Sequence, residues 1–98
     1  MHEMNTLEIY LKTHNIPYDR IDKAPDSFGF DFHKITVYTA DGQYLWDAIC
    51  HRGSFGYEQG LLEIYGIIVD EEQDGDSVVG WLTASDVIKR IEKAGVQG

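Results

Sequence analysis

The residues with the most chemical potential in this chain of 98 residues are the carboxylates of Asp70-Glu71-Glu72-Gln73-Asp74-Gly75-Asp76. Acidic side chains alternate ahead of a glycine there, as in the first half of a calcium-binding loop. Such a loop closes with a bidentate carboxylate at its twelfth position, and counting from Asp70 that position holds Trp81. The segment therefore reads as a solvated acidic turn, and no metal site is expected. Cys50 and His51 put a thiol beside an imidazole, the ingredients of a nucleophile and its base. Neighbours in a strand point to opposite faces, so a buried Cys50 and a surface His51 are expected, without catalysis. The backbone N–H groups of residues 54–57, after Arg52 and Gly53, would form an anion site if they opened a helix. Thr83 and Asp86 have the T-x-x-D spacing that caps a helix start. His2, His14, His33 and His51 are scattered singly, with no zinc spacing. The chain is thus expected to be non-enzymatic, with no catalytic residues and no cofactor.

The elements that must position these groups are legible from periodicity. Met4, Leu7, Tyr10 and Leu11 have helical spacing, and Asn5 with Glu8 predicts a capped helix over residues 6–14, stopped by Asn15 and Pro17. Residues 16–21 alternate as a short edge strand, and residues 22–29 are a turn-rich connection. The β-rich runs 33–40 and 43–50 flank Asp41-Gly42, which predicts a central hairpin with a tight primed turn. Ser54 opens a predicted second helix carrying Tyr57, Leu61, Ile64 and Tyr65 on one face and ending at Gly66; Gly60 weakens it. Ile67-Ile68-Val69 is expected to pair with residues 78–82 across the acidic turn. The last helix starts at Thr83, with Leu82 and Val87 placed as a hydrophobic staple and Gly95 beyond its end. The class is α+β: a small single domain spanning 1–98, with an antiparallel sheet around the hairpin at about 33–50 packed by about three helices.

Composition narrows the partners. The net charge is −9 and the pI about 4.6, so phosphate backbones and anionic membranes repel the chain. Between Gly53 and Ile88 there is no Lys or Arg, while Glu58, Glu63, Asp70, Glu71, Glu72, Asp74, Asp76 and Asp86 fall inside that window. One cysteine excludes an internal disulfide, and no basic-then-apolar leader or long apolar span is present, which points to the cytoplasm. Recurrent aromatic and β-branched residues argue for a folded chain with only its extreme termini loose. Phe28, Phe30 and Phe32 alternate and are expected to form one strand face, which if exposed would serve a partner or a homodimer.

Residues 69–88, through Val79-Gly80-Trp81-Leu82-Thr83-Ala84-Ser85-Asp86-Val87-Ile88, resemble the end of a CBS (cystathionine β-synthase) half-domain. There a V-D turn and a V-G pair precede T-x-x-D at a helix start. The resemblance implies that Thr83 and Asp86 contact the ribose and phosphate of an adenine nucleotide, in a small sensing domain. It covers less than a third of the chain, and helix capping is the other account of the same two residues. The stretch 53–63 followed by 77–84 resembles small acidic uncharacterised proteins from phages and integrative elements of Gram-positive bacteria. Short acidic proteins of that setting resemble anti-restriction and anti-CRISPR inhibitors, which place carboxylates where a nuclease expects phosphates. That resemblance implies an acidic protein-binding module, a DNA mimic whose Asp70, Glu71, Glu72, Asp74 and Asp76, with Glu58 and Glu63, enter a basic nucleic-acid-binding groove. The alternatives left open are an acidic surface that only confers solubility and the nucleotide sensor.

Overall fold

The structure, a computed structural model, describes residues 2–95; the loose termini expected from the sequence fall on Met1 and residues 96–98, outside the described residues. The chain runs α1 (Glu3–Thr13), β1 (Tyr18–Lys23), β2 (Phe32–Tyr38), β3 (Tyr44–His51), a 3-10 turn (Tyr57–Gln59), β4 (Leu62–Gly66), α2 (Glu71–Asp74), β5 (Val78–Leu82) and α3 (Ala84–Ala94). The strands form one antiparallel sheet in the order β1-β2-β3-β4-β5, a simple meander. The fold is α+β, with the expected hairpin at the centre of the sheet.

One face of the sheet carries the core. Ile35 and Val37 on β2 lie opposite Ala48 and Trp46 on β3, and Ala48 in turn lies opposite Ile64 on β4. These residues, with Cys50 and Leu62, join Met4, Leu7 and Leu11 of α1 and Ala84, Val87 and Ile91 of α3 in one buried cluster. Both helices therefore sit on the same face, each through a stripe at the i, i+3, i+7 spacing of a helix. The opposite face, with Phe32, Lys34, Thr36, Asp47, Ile49, Glu63 and Tyr65, carries neither long helix and is half-buried or exposed. Register matters here because a one-residue slip would exchange the two sets.

The helix ends follow local chemistry. The N-cap of α1 is His2, not Asn5: its Nδ1 accepts from the Met4 N–H at 3.0 Å. Asn5 is inside the helix, where a cap one turn earlier extends the hydrogen-bond ladder past it. At the other end Asn15 takes φ 54°, the Ile16 N–H bonds the Leu11 carbonyl and the Asn15 N–H the Lys12 carbonyl. That pair of bonds is a Schellman ending. On α3 the anticipated capping box forms: Thr83 Oγ1 accepts from the Asp86 N–H at 3.1 Å, and Asp86 Oδ2 from the Thr83 N–H at 3.0 Å.

Several expectations need correction. Asp41-Gly42 is not a two-residue primed turn: only Gly42 has positive φ (90°), the Gly42 N–H bonds the Thr39 carbonyl, and the Thr39 N–H bonds the Gln43 carbonyl. This is a longer loop with glycine at the left-handed position. The helix predicted from Ser54 does not form. Gly53, Gly56, Gly60 and Gly66 all take positive φ, so the segment breaks into a short 3-10 turn and then becomes β4. Ile67-Ile68-Val69 is a turn, and β5 pairs with β4 instead. Of the three phenylalanines only Phe32 lies in a strand; Phe28 stands in a turn closed by Asp26, whose Oδ1 accepts from the Phe28 and Phe30 N–H groups. Among the described residues no helix is long and apolar enough to cross a membrane.

Candidate functional site

The acidic turn is a built structure. Asp70 caps α2, its Oδ1 accepting from the Glu72 and Gln73 N–H groups at 3.2 and 3.3 Å. Asp74 turns inward: the Arg90 guanidinium on α3 grips it with two parallel bonds of 2.8 Å, and its Oδ2 also accepts from the Asp70 N–H. The Arg90 hydrogen bonds hold the Asp74 carboxyl down at about 2. Asp74 is therefore neutralised inside the fold, and Asp70, Glu71, Glu72 and Asp76 are the exposed carboxylates of the turn. Glu58 and Glu63 are elsewhere, because the loop that bears Glu58 precedes β4 and α2 follows it. Glu63 lies within β4 on the open face, and its Oε1 accepts from the Phe55 N–H at 3.0 Å. The acidic residues thus divide between the two ends of β4. Among the described residues no group of three or more His, Cys, Asp or Glu is arranged to hold a metal ion.

Cys50 is buried and His51 lies on the other face, stacked on the Phe32 ring at 5.0 Å. Burial, with help from the Asp31 charge, pushes the Cys50 thiol up to about 11, the opposite of what a nucleophile needs. No helix opens at residues 54–57 to form an anion site, and three of their N–H groups are engaged within the chain: those of Ser54 and Tyr57 bond the carbonyls of His51 and Ser54, and that of Phe55 bonds Glu63. Thr83 and Asp86 satisfy each other in the capping box.

Two constellations escaped the sequence reading. The first centres on His33, which lies opposite both Asp22 on β1 and Cys50 on β3. Its Nδ1 meets Asp22 Oδ1 at 2.6 Å and its Nε2 meets Asp31 Oδ2 at 2.9 Å. Asp31 Oδ1 in turn accepts from the Tyr57 hydroxyl at 2.7 Å, and Arg20 bonds both Asp22 and Glu8. Burial lowers the His33 pKa, but the hydrogen bonds and charges of Asp22 and Asp31 outweigh it, so the net shift is upward. His2, whose ring centroid is 4.6 Å away, is shifted downward by burial and by the His33 charge.

The sign of the pH dependence follows. A histidine with a raised folded value contributes stability below its ordinary 6.5 and loses it as pH climbs through the folded value; His2, with a lowered value, loses its share as pH falls from 6.5. Asp74 contributes above the ordinary 3.8 and loses its share as pH falls towards about 2. Urea unfolding from about pH 6 to about pH 9 is expected to show stability falling with pH in the native chain and a flatter profile in His33→Gln. Equal slopes in the two would overturn the assignment.

The second constellation is aromatic. Between Leu62↔Leu82 and Ile64↔Val79 the β5 strand has one residue more than β4, a bulge in which Gly80 and Trp81 oppose Glu63. Trp81 takes φ 62° and is 58% exposed. A bulky residue with positive φ is a genuine outlier, and bulges re-aim side chains. The 52–61 loop folds over this end: the Trp81 N–H bonds the Phe55 carbonyl at 3.2 Å, and a Cβ on Gly80 would lie 2.8 Å from that carbonyl oxygen. Gly80 thus lets Phe55, itself 55% exposed, sit beside Trp81. Across a groove, the Arg52 guanidinium stacks over Phe30 at 4.6 Å and Phe28 at 6.0 Å. The signals for this site were Gly80 inside a strand pattern and the recurrent glycines at 53, 56 and 60.

Comparison with family models, curated proteins and solved structures finds no match to this chain.

Proposed function

We propose that the protein is a non-enzymatic, acidic protein-binding module of the cytoplasm that docks into a basic groove of the kind that holds a nucleic-acid backbone. The observation that carries this reading is the construction of the acidic turn. Asp70 fixes the start of α2, and the two-pronged Asp74–Arg90 bond rivets it to α3. Glu71, Glu72 and Asp76 are left exposed on a support that is already ordered. Carboxylates held in place bind lysines and arginines with little further loss of freedom, and their field speeds encounter with a basic surface. The resemblance to small acidic proteins of mobile elements supplies the setting, an anti-CRISPR or anti-restriction type of inhibitor that mimics DNA. No specific geometric feature favours the CBS-like nucleotide sensor, since Thr83 and Asp86 are engaged with each other.

Immobilised protein is expected to retain a basic DNA-handling enzyme from bacterial lysate, with release by added duplex DNA or by high salt. The triple variant Glu71→Gln, Glu72→Gln, Asp76→Asn leaves the Asp70 cap and the Asp74 clamp intact, and is expected to weaken retention on the order of tenfold or more. Retention that is indifferent to DNA, or unchanged in the triple variant, would overturn the proposal.

A further inference from the structure

The Phe55–Trp81 end of the sheet lies away from the acidic turn, with β4 and β5 between them. It presents two large aromatic side chains more than half exposed, next to Glu58. Glu58 is itself exposed and has no hydrogen-bond or ion-pair partner among the described residues. Tryptophan held at φ 62° in this bulge is in a strained backbone conformation. Burial does not repay that here, because the side chain remains largely in solvent.

We infer that this end is a second contact site, in which an arginine or lysine of an extended basic segment of the protein partner enters the groove between Phe55, Trp81 and Glu58. The inference rests on the reading of a basic protein partner and adds a site to it. Charge complementarity selects the occupant. The ring faces of Trp and Phe attract cations and Glu58 supplies a carboxylate on the same groove, while Arg52, the one Lys or Arg lining it, lies over Phe30 and Phe28 and among the described residues makes no ion pair with Glu58. The facing wall already shows this chemistry, for Arg52 lies over Phe30 and Phe28. The groove, about 280 Å³ in volume, has room for one long side chain. The segment docks through side chains and not by adding a strand, since the bulge at Trp81 interrupts the outer edge of β5.

The test uses the full chain and a short blocked Gly/Ser peptide carrying two arginines, with the same peptide carrying glutamines as control. Amide and indole resonances are followed by NMR during titration; the exposed Trp81 and the buried Trp46 give separate indole signals. The Trp81 indole and the Phe55 and Glu58 amides are expected to shift and saturate with the arginine peptide and to stay still with the control. Trp81→Ala is expected to weaken binding by about tenfold, and Glu58→Gln by about threefold. The triple acidic-turn variant is expected to leave these shifts in place, so a failure at the turn and a failure here are read separately. Shifts confined to residues 70–76, an unmoved Trp81 indole, or an equal response to the glutamine peptide would each overturn the inference.

Discussion

Trp46→Ala is expected to cost about 3–5 kcal/mol, a large share of the roughly 5–15 kcal/mol that holds a domain of this kind together. Trp46 is fully buried in β3, between Val37 of β2 and Gly66 of β4, and belongs to the cluster shared with α1 and α3. Truncation removes the widest side chain at the centre of the sheet, and neighbours from three strands and two helices cannot all close on the void. Thermal unfolding should drop by about 4–8 °C for each kcal/mol lost. Trp46→Phe keeps most of the volume. Its cost should stay below about 2 kcal/mol, because the Trp46 Nε1–H has no hydrogen-bond partner among the described residues that would be lost with it. A Trp46→Ala chain with native stability would show that the helices do not pack on this face.

Gly66→Ala is expected to destabilise by about 3 kcal/mol or more, from two sources acting together. Gly66 has φ 109°, a conformation that L side chains rarely adopt. A Cβ there would also lie 2.6 Å from the Leu45 carbonyl oxygen and 2.7 Å from Trp46 Cα. Those are backbone atoms, so no rotamer change relieves the contact, and β3 and β4 must separate where Trp46 and Gly66 face each other. Urea unfolding checks the magnitude. The double variant with Trp46→Ala checks the mechanism: since the clash is with backbone, shortening Trp46 should not rescue Gly66→Ala. Rescue in the double variant would assign the clash to the indole instead.

Patterns local to one element were legible in advance. The stripe Met4, Leu7, Leu11 and the Thr83–Asp86 box place α1 and α3 to within a few residues, and the two β-rich runs around Asp41-Gly42 place β2 and β3. The residues after Ser54 misled because Tyr57, Leu61, Ile64 and Tyr65 keep helical spacing while residues 62–66 become a strand. Leu62 and Ile64 also fit an alternating pattern, and β4 is decided by its pairing with β3 and β5. The acidic block was visible as composition, but not the fate of its members: Asp74 is withdrawn by Arg90, and Glu63 is turned to the Phe55 amide.

By itself, the sequence determined the class of fold, the helix caps of α3, the burial of Cys50 and an excess of negative charge with no compensating cation from Gly53 to Ile88. Caps, periodicity and net charge depend on neighbours within a turn or two of chain, so they need no tertiary information. The tertiary structure alone decided which carboxylates face solvent, that Asp22, Asp31 and His33 meet, and that Phe55 lies against Gly80 with its carbonyl bonded to the Trp81 N–H. Those contacts join residues from separate strands and loops, and register, a bulge and the loop over the sheet end bring them within reach of one another.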